Sequence, residues 1–271
     1  MGYCLLTTFL SGYDENPPEY KEKMTSERSV YRSRIYGAYS SARDRPLAPD
    51  MIEGLKPRLP YLRRLIQKLM PTDRTCSVFD LGCGHGALIY ALREAGYRNV
   101  RGVDGSSEQV AAAKRLGIAE VEAGDILDTL AQMGDASVDV IVTFDVIEHF
   151  TKDELIPLVD HIFRILKSGG RWIIHSPNCA GPFGVRVFFG DFTHELAFTP
   201  ESIDQLLRAS GFARVECYED RPVPHGLKST IRLSLWIPIR ILLLSYLAVE
   251  TGFFDRKAVL SQNLLAVGYK G

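Results

Sequence analysis

Residues 77–92 read SVFDLGCGHGALIYAL. A short apolar run (Val78, Phe79) meets Asp80, glycines follow at 82, 84 and 86, and an apolar helical pattern starts at Ala87. Strand, glycine turn and helix in that order build a nucleotide-type cradle at the carboxyl end of a first parallel strand. The spacing is G-x-G-x-G, not the dinucleotide-binding G-x-G-x-x-G, and an acid stands two residues before the first glycine. Glycines let a ligand approach the main chain, and the helix N-terminus behind them offers N–H groups to a carboxylate or pyrophosphate. Asp80 tips the balance away from a pyrophosphate and toward an ammonium group. A ligand with an ammonium, a carboxylate and a ribose suits this mixture. A bare turn between strand and helix is the plain alternative.

Two later segments strengthen the ligand reading. Asn99-Val-Arg-Gly-Val-Asp104 reads as a second strand closing on an acid, about twenty residues past the glycines, where a carboxylate can accept both ribose hydroxyls. Val121-Glu-Ala-Gly-Asp-Ile126 reads as a third strand ending in Gly-Asp-Ile. Any one of these acids can be a helix N-cap, but three at successive strand ends are hard to explain by capping alone. The set resembles the first motifs of class I S-adenosylmethionine-dependent methyltransferases. The resemblance implies S-adenosylmethionine as cofactor, held by Asp80, Gly82, Gly84, Gly86, Asp104 and Gly105. It further implies Asp125 on the adenine amino group, Ile126 against the ring, and Phe144 and Asp145 completing the site.

The composition is compatible with one large core: 271 residues, 46% of them apolar. A net charge of −1 argues against a broad nucleic-acid footprint. The five cysteines have no C-x-x-C spacing, and their odd count suits a reducing compartment. The amino-terminal apolar run Cys4–Leu10 is short for a signal peptide, and Leu6 breaks a myristoylation pattern. The expected location is the cytoplasm, with peripheral contact at the inner membrane face as an alternative.

From residue 77 onward strands alternate with helices, the pattern of a doubly wound α/β fold. Strands are expected at 77–81, 99–104, 119–123, 138–144 and 171–176, and helices at 86–96, 107–116 and 152–167, the last ended by a Gly169-Gly170 cap. Thr199-Pro200 opens another helix. Segments 213–219 and 263–269 supply the sixth and seventh strands. The expectation is a Rossmann-like, seven-stranded, mostly parallel sheet with an antiparallel last strand. An N-terminal helical cap (1–72, including a helix over 27–42) precedes the cofactor domain (73–271), and a long insertion (221–262) separates strands six and seven.

Three residues are candidates for the chemistry. Phe144-Asp-Val-Ile-Glu-His149 resembles the D-V-x-E-H segment of methyltransferases acting on sugars, quinones and other small hydroxylated molecules. Asp191-Phe-Thr-His194 resembles a D-x-T-H segment of methyltransferases associated with bacterial polysaccharide and glycolipid gene clusters. Transfer to a hydroxyl needs a base. His194 is the first choice, oriented by Asp191, and His149 the second; the plain readings are an Asp191–Thr193 turn with His194 packed under Phe198, and a structural Glu148–His149 pair. No metal site is expected, although in related enzymes the Glu-His pair can bind a divalent ion.

Residues 231–249 are mostly apolar but interrupted by Arg232, Pro238 and Arg240, which disfavours a bilayer span. They are expected to meet the protein's own core, a twin subunit or a membrane interface. The reaction implied is O-methylation of a glycan or lipid-linked sugar, with a quinone or phenol as the enzymatic alternative and a non-catalytic binding protein as the rival. No nucleic-acid partner is expected.

Overall fold

The computed structural model describes residues 48–271, which form one compact unit from Ala48. The helix expected over 27–42, and most of the cap expected over 1–72, lie outside the described residues. Residues 48–72 share the unit that holds the sheet. A short 3-10 turn (Ile52–Leu55) leads into α1 (Leu59–Leu69), whose Leu62, Leu65, Ile66 and Leu69 repeat at helical spacing and are buried.

The alternation expected from residue 77 is observed, with strands β1 (Ser77–Leu81), β2 (Asn99–Asp104), β3 (Val121–Ala123), β4 (Val138–Phe144), β5 (Leu166–Pro177), β6 (Arg214–Glu219) and β7 (Asn263–Tyr269). They pair in the order β3-β2-β1-β4-β5-β7-β6. β1 to β5 run parallel and β7 is antiparallel to both neighbours. Successive residues alternate between two apolar layers. Val78, Val140, Ile173 and Val267 face one cluster with α1; Phe79, Ile141, Trp172 and Ala266 face the other.

Helices cover both faces. α2 (Ala87–Glu94) and α3 (Ser107–Arg115) join α1 on the first, and α4 (Ile126–Gln132) and α5 (Lys152–Ile165) lie on the second. A capping box fixes the start of α5, with Glu154 accepting from the Thr151 N–H at 2.9 Å. α6 (Gly184–Phe188) follows β5, and α7 (Pro200–Ala209) opens on Thr199 as expected. The strand order reverses between β1 and β4, so the crevice of the fold lies at their carboxyl ends.

One expected feature is corrected. Gly169 does not cap the helix before β5. α5 ends at Ile165, Leu166 is already extended and pairs with Val138, and Gly169 (φ 75°) turns inside an irregular start of β5. Its N–H donates to the Lys270 carbonyl at 3.0 Å, so the bend is secured by the last strand.

The insertion carries α8 (Leu227–Thr251), 25 residues long, in which Ser229 and Leu244 are the buried residues. Burial in the protein's own core is therefore not its arrangement within the described residues.

Candidate cofactor and acceptor site

The glycine turn is pinned to β2: the N–H groups of Gly82 and Cys83 both donate to the Val103 carbonyl, at 2.9 and 3.1 Å. Gly82 has φ 68°, and a Cβ there would lie 2.5 Å from Val146 Cγ2. Any side chain would force apart the β1 and β4 loops. Gly84 is different: beyond its φ of 56°, a Cβ would meet nothing nearer than Gln109 Oε1 at 3.6 Å. Its bareness leaves room in front of the main chain rather than relieving a clash.

Two carboxylates face this room. Asp80 is buried within β1, and its Oδ1 has no hydrogen-bond partner. Burial, and then the nearby Asp104 charge, push its pKa up to about 8. Asp104 ends β2 and receives the Gly84 N–H on Oδ2 at 2.7 Å and the Ser106 N–H on Oδ1 at 2.8 Å. Burial raises its pKa against the pull of those two N–H groups. Each carboxylate oxygen of Asp104 keeps a second lone pair for a donor. Gly105, next in the chain, would place a Cβ 3.9 Å from the Gly124 carbonyl, which brings the ends of β2 and β3 together.

Asp125 is the expected third acid, and it caps α4: Oδ1 accepts from the N–H groups of Leu127 and Asp128 at 2.8 and 3.0 Å. Both capping bonds use one oxygen of an exposed residue. Ile126 is half-buried against the second apolar layer.

At the end of β4, Phe144 stacks on His175 of β5, with ring centroids 4.0 Å apart and an interplanar angle of 11°. Tyr61 of α1 meets Phe144 edge-on, and the Arg58 guanidinium lies 5.6 Å from its centroid. Asp145 has φ 56°, unusual for a residue with a side chain, at the rim of the crevice. Its N–H donates to the His175 carbonyl at 3.0 Å and its Oδ1 accepts from His175 Nδ1 at 2.6 Å. His175 Nε2 reaches Asp220 Oδ2 at 3.4 Å. Burial opposes charge on this imidazole, but the two carboxylates outweigh it and raise its pKa to about 9. His175, Asp220, Tyr61 and Arg58 were not legible as site residues. A lone histidine at the end of an apolar strand was the available signal for the first.

On the other side of Asp145, Glu148, His149 and His194 converge, with one ligand atom from each within 4.8 Å of the others. Thr193 Oγ1 donates to Asp191 Oδ1 at 2.6 Å, and His149 Nδ1 lies 2.9 Å from that Thr193 hydroxyl oxygen. With the hydroxyl proton spent on Asp191, Nδ1 of His149 must be the donor and Nε2 carries the lone pair. The 2.6 Å contact of Asp191 thus runs through Thr193 to His149, whereas His194 was the expected beneficiary. His194 places Nδ1 2.8 Å from the Phe188 carbonyl, so its lone pair too sits on Nε2. The ring neighbours of His194 are His149 and Phe188, at 4.9 and 5.7 Å between centroids; the plain reading names Phe198.

Burial lowers the pKa of His149 and raises that of Glu148 to about 8, the latter helped by the Asp145 charge. Glu148 Oε1 is buried without a hydrogen-bond partner. Two imidazole lone pairs and a carboxylate at this separation can hold one divalent ion, a grouping that linear spacing did not reveal.

Two cavities of about 400 and 620 Å³ open beside Tyr61 and Asp220. The smaller is lined by Arg221, His225, Arg232, Trp236 and Asn263 among others. Both lie on the β6–β7 side of the crevice, lined by Asp220 and Arg221 beyond β6.

A family model described as "Methyltransferase domain" matches residues 79–174. A protein of Mycolicibacterium smegmatis named "Probable S-adenosylmethionine-dependent methyltransferase" is 30% identical over 131 residues, 47% of this chain and 49% of that protein. The chain thus spans about half the length of the curated relative it matches. Among solved structures, a SAM-dependent methyltransferase from Archaeoglobus fulgidus superposes with a TM-score of 0.59 at 20% identity, covering 90% of this chain and 99% of that one. Phosphoethanolamine N-methyltransferase 2 of Haemonchus contortus, in complex with phosphomonomethylethanolamine and S-adenosylhomocysteine, gives 0.55 at 18% identity, covering 90% and 58%. At these identities the likeness is one of fold.

The residues fit S-adenosylmethionine. The orphan oxygen of Asp80 suits an ammonium group, the remaining lone pairs of Asp104 suit a ribose diol, and the open side of Gly84 admits a close ligand. Residues 79–174 match a methyltransferase domain, and the sheet that carries them has the class I S-adenosylmethionine-dependent methyltransferase fold.

Proposed function

We propose that this chain transfers a methyl group from S-adenosylmethionine to an oxygen of a lipid-linked sugar. The bound cofactor supplies an electrophilic methyl, and the chain's residues align the acceptor and remove its proton. His149 is suited to the second task. Its burial keeps the ring neutral, and the Asp191–Thr193 pair holds the tautomer with the lone pair on Nε2. His194, with its lone pair on the same ring atom, is the alternate base.

The observation that carries the acceptor class is the cavity beside Tyr61. Arg221, Arg232 and His225 line it together with Asp220, Asn263 and Trp236. Cationic side chains suit a phosphate, amide and carboxylate groups suit sugar hydroxyls, and an indole suits a sugar face. A quinone or phenol would call for a flat apolar slot between the 177–198 loop and the insertion, and no residue of that loop lines this cavity.

The test is to incubate the protein and methyl-labelled cofactor with organic-solvent and aqueous extracts of bacterial cell envelopes. Label in the organic phase that mild acid releases with the sugar supports the reading. Label confined to small aromatic compounds contradicts it.

A further inference from the structure

The outer face of α8 has no role in the site described above, and its composition is the reverse of a solvated surface. Leu227, Ile231, Leu235, Leu242, Tyr246 and Val249 are spaced by 4, 4, 7, 4 and 3 residues, which places them on one stripe of the helix. All six are exposed, Leu227 by 79% and Val249 by 87%. Between Leu233 and Val249 the single charged residue is Arg240, and it points inward. Its Nε donates to Glu219 Oε1 at 2.7 Å, and its terminal nitrogen donates to the carbonyls of Arg256 and Ala258. Leu244 and Ser229 are buried along the same inner side. Just past the helix, Phe253 and Phe254 are exposed as well.

From these observations we propose that α8 lies flat on a lipid bilayer bearing anionic headgroups, its outer stripe in the interface and the methyltransferase domain above it. Length and hydropathy alone would permit a span, with 25 residues and a mean hydropathy of 1.6. The inner face excludes that arrangement, because Arg240 ties the middle of the helix to Glu219 of β6 and to the carbonyls of Arg256 and Ala258 before β7, and Leu244 is buried. A helix fixed along one side to a folded domain can give a membrane only its other side.

Charge decides between a bilayer and a second copy. Residues 221–260 hold six lysines and arginines against two acids; Arg221 and Arg240 pair with Glu219, which leaves Lys228, Arg232, Arg256 and Lys257 against Glu250 and Asp255 in a chain that sums to −1. Lys228 and Arg232 in the first turns, and Arg256 and Lys257 past the last, are exposed and bracket the apolar stripe. A two-fold contact through this stripe would press two such segments together, whereas an anionic surface attracts both brackets at once. Tyr246 on the stripe and Phe253 beyond it suit the headgroup boundary. The proposal is independent of the acceptor, because binding to lipid is read without methyl transfer.

The experiment is flotation of the full chain with vesicles of phosphatidylcholine alone or mixed with phosphatidylglycerol. Light scattering without lipid runs in parallel. The expected result is binding to the mixed vesicles that weakens with salt, and a monomer in solution. In L235E/L242E, vesicle affinity falls by roughly tenfold or more, while cofactor affinity and melting temperature match the wild type. K228E/K257E weakens binding to mixed vesicles and leaves the residual affinity for neutral ones unchanged. A dimer that L235E/L242E dissociates, with no vesicle binding, overturns the proposal in favour of a second copy. A monomer that floats with neither vesicle, or binding that L235E/L242E leaves intact, overturns it outright.

Discussion

His175 donates to Asp145 at 2.6 Å across the ends of β5 and β4, fixing a residue whose backbone sits at φ 56°. The pair joins β5 to β4 beside the switch point of the sheet: Phe144 stacks on the imidazole, and the Asp145 charge acts on both Glu148 and His149. The imidazole is nearly inaccessible while the Asp145 side chain is half-exposed, so the ion pair is anchored from below and screened from above.

That pair predicts a pH dependence. The pKa of His175 is raised to about 9 in the folded protein, so its stabilising charge is fully present below the ordinary imidazole value and is lost as pH rises through 9. His175→Gln should lower stability at pH 7 by about 2 kcal/mol, less than a fully buried pair because Asp145 is partly solvated. Denaturant titrations at pH 6 to 10 check this. A wild type and variant that differ equally across that range contradict it.

Asp80 predicts a trade of stability against binding. Its pKa is raised to about 8, so the folded protein without cofactor holds a proton that the unfolded chain releases. Stability from this group is greatest below the ordinary carboxylate pKa and falls as pH rises through 8. Asp80→Asn should therefore stabilise the cofactor-free protein at pH 9, by roughly 1–3 kcal/mol, while cofactor affinity drops. Thermal melts with and without S-adenosylmethionine separate the two effects.

The base assignment makes His149→Ala and His194→Ala informative together. The variant lacking the base should lose about 10²-fold or more in turnover with cofactor affinity unchanged. Thr193→Val, which removes the hydroxyl that holds the His149 tautomer, should cost activity only if His149 is that base. Single-turnover transfer to the labelled envelope acceptor is the readout.

In the absence of acceptor a divalent ion should bind between Glu148, His149 and His194, taking the imidazole lone pairs that proton removal needs and so inhibiting transfer. Zn²⁺ or Mn²⁺ should raise the melting temperature, more strongly as pH approaches 8, because Glu148 must release its proton to ligate. Glu148→Gln should abolish the increase. An equal shift in the variant would place the ion elsewhere.

The sheet was readable because its signals are local. The strand–turn–helix at 77–92, the acids at 104 and 125 and the cap at Thr199 each specify their own backbone within a few residues. Gly169 was misjudged because a glycine after an apolar helix looks like a C-cap. What displaces it is the pairing of Leu166 with Val138 and of Gly169 with Lys270, contacts no local pattern encodes. The same limit hid Asp220 and Tyr61, which reach the crevice from the end of β6 and from α1. His149 and His194 were each visible, but not their proximity, since 45 residues of chain separate their motifs and the ring contact at 4.9 Å exists only in three dimensions.

The central claim is that Asp80, Asp104 and the glycine turn hold S-adenosylmethionine. Calorimetric titration of the full chain and of Asp104→Ala with S-adenosylmethionine tests it most directly. The account predicts saturable one-to-one binding by the wild type and an affinity loss of roughly tenfold or more in the variant. No heat of binding in the wild type, or equal affinity in the two proteins, would contradict it.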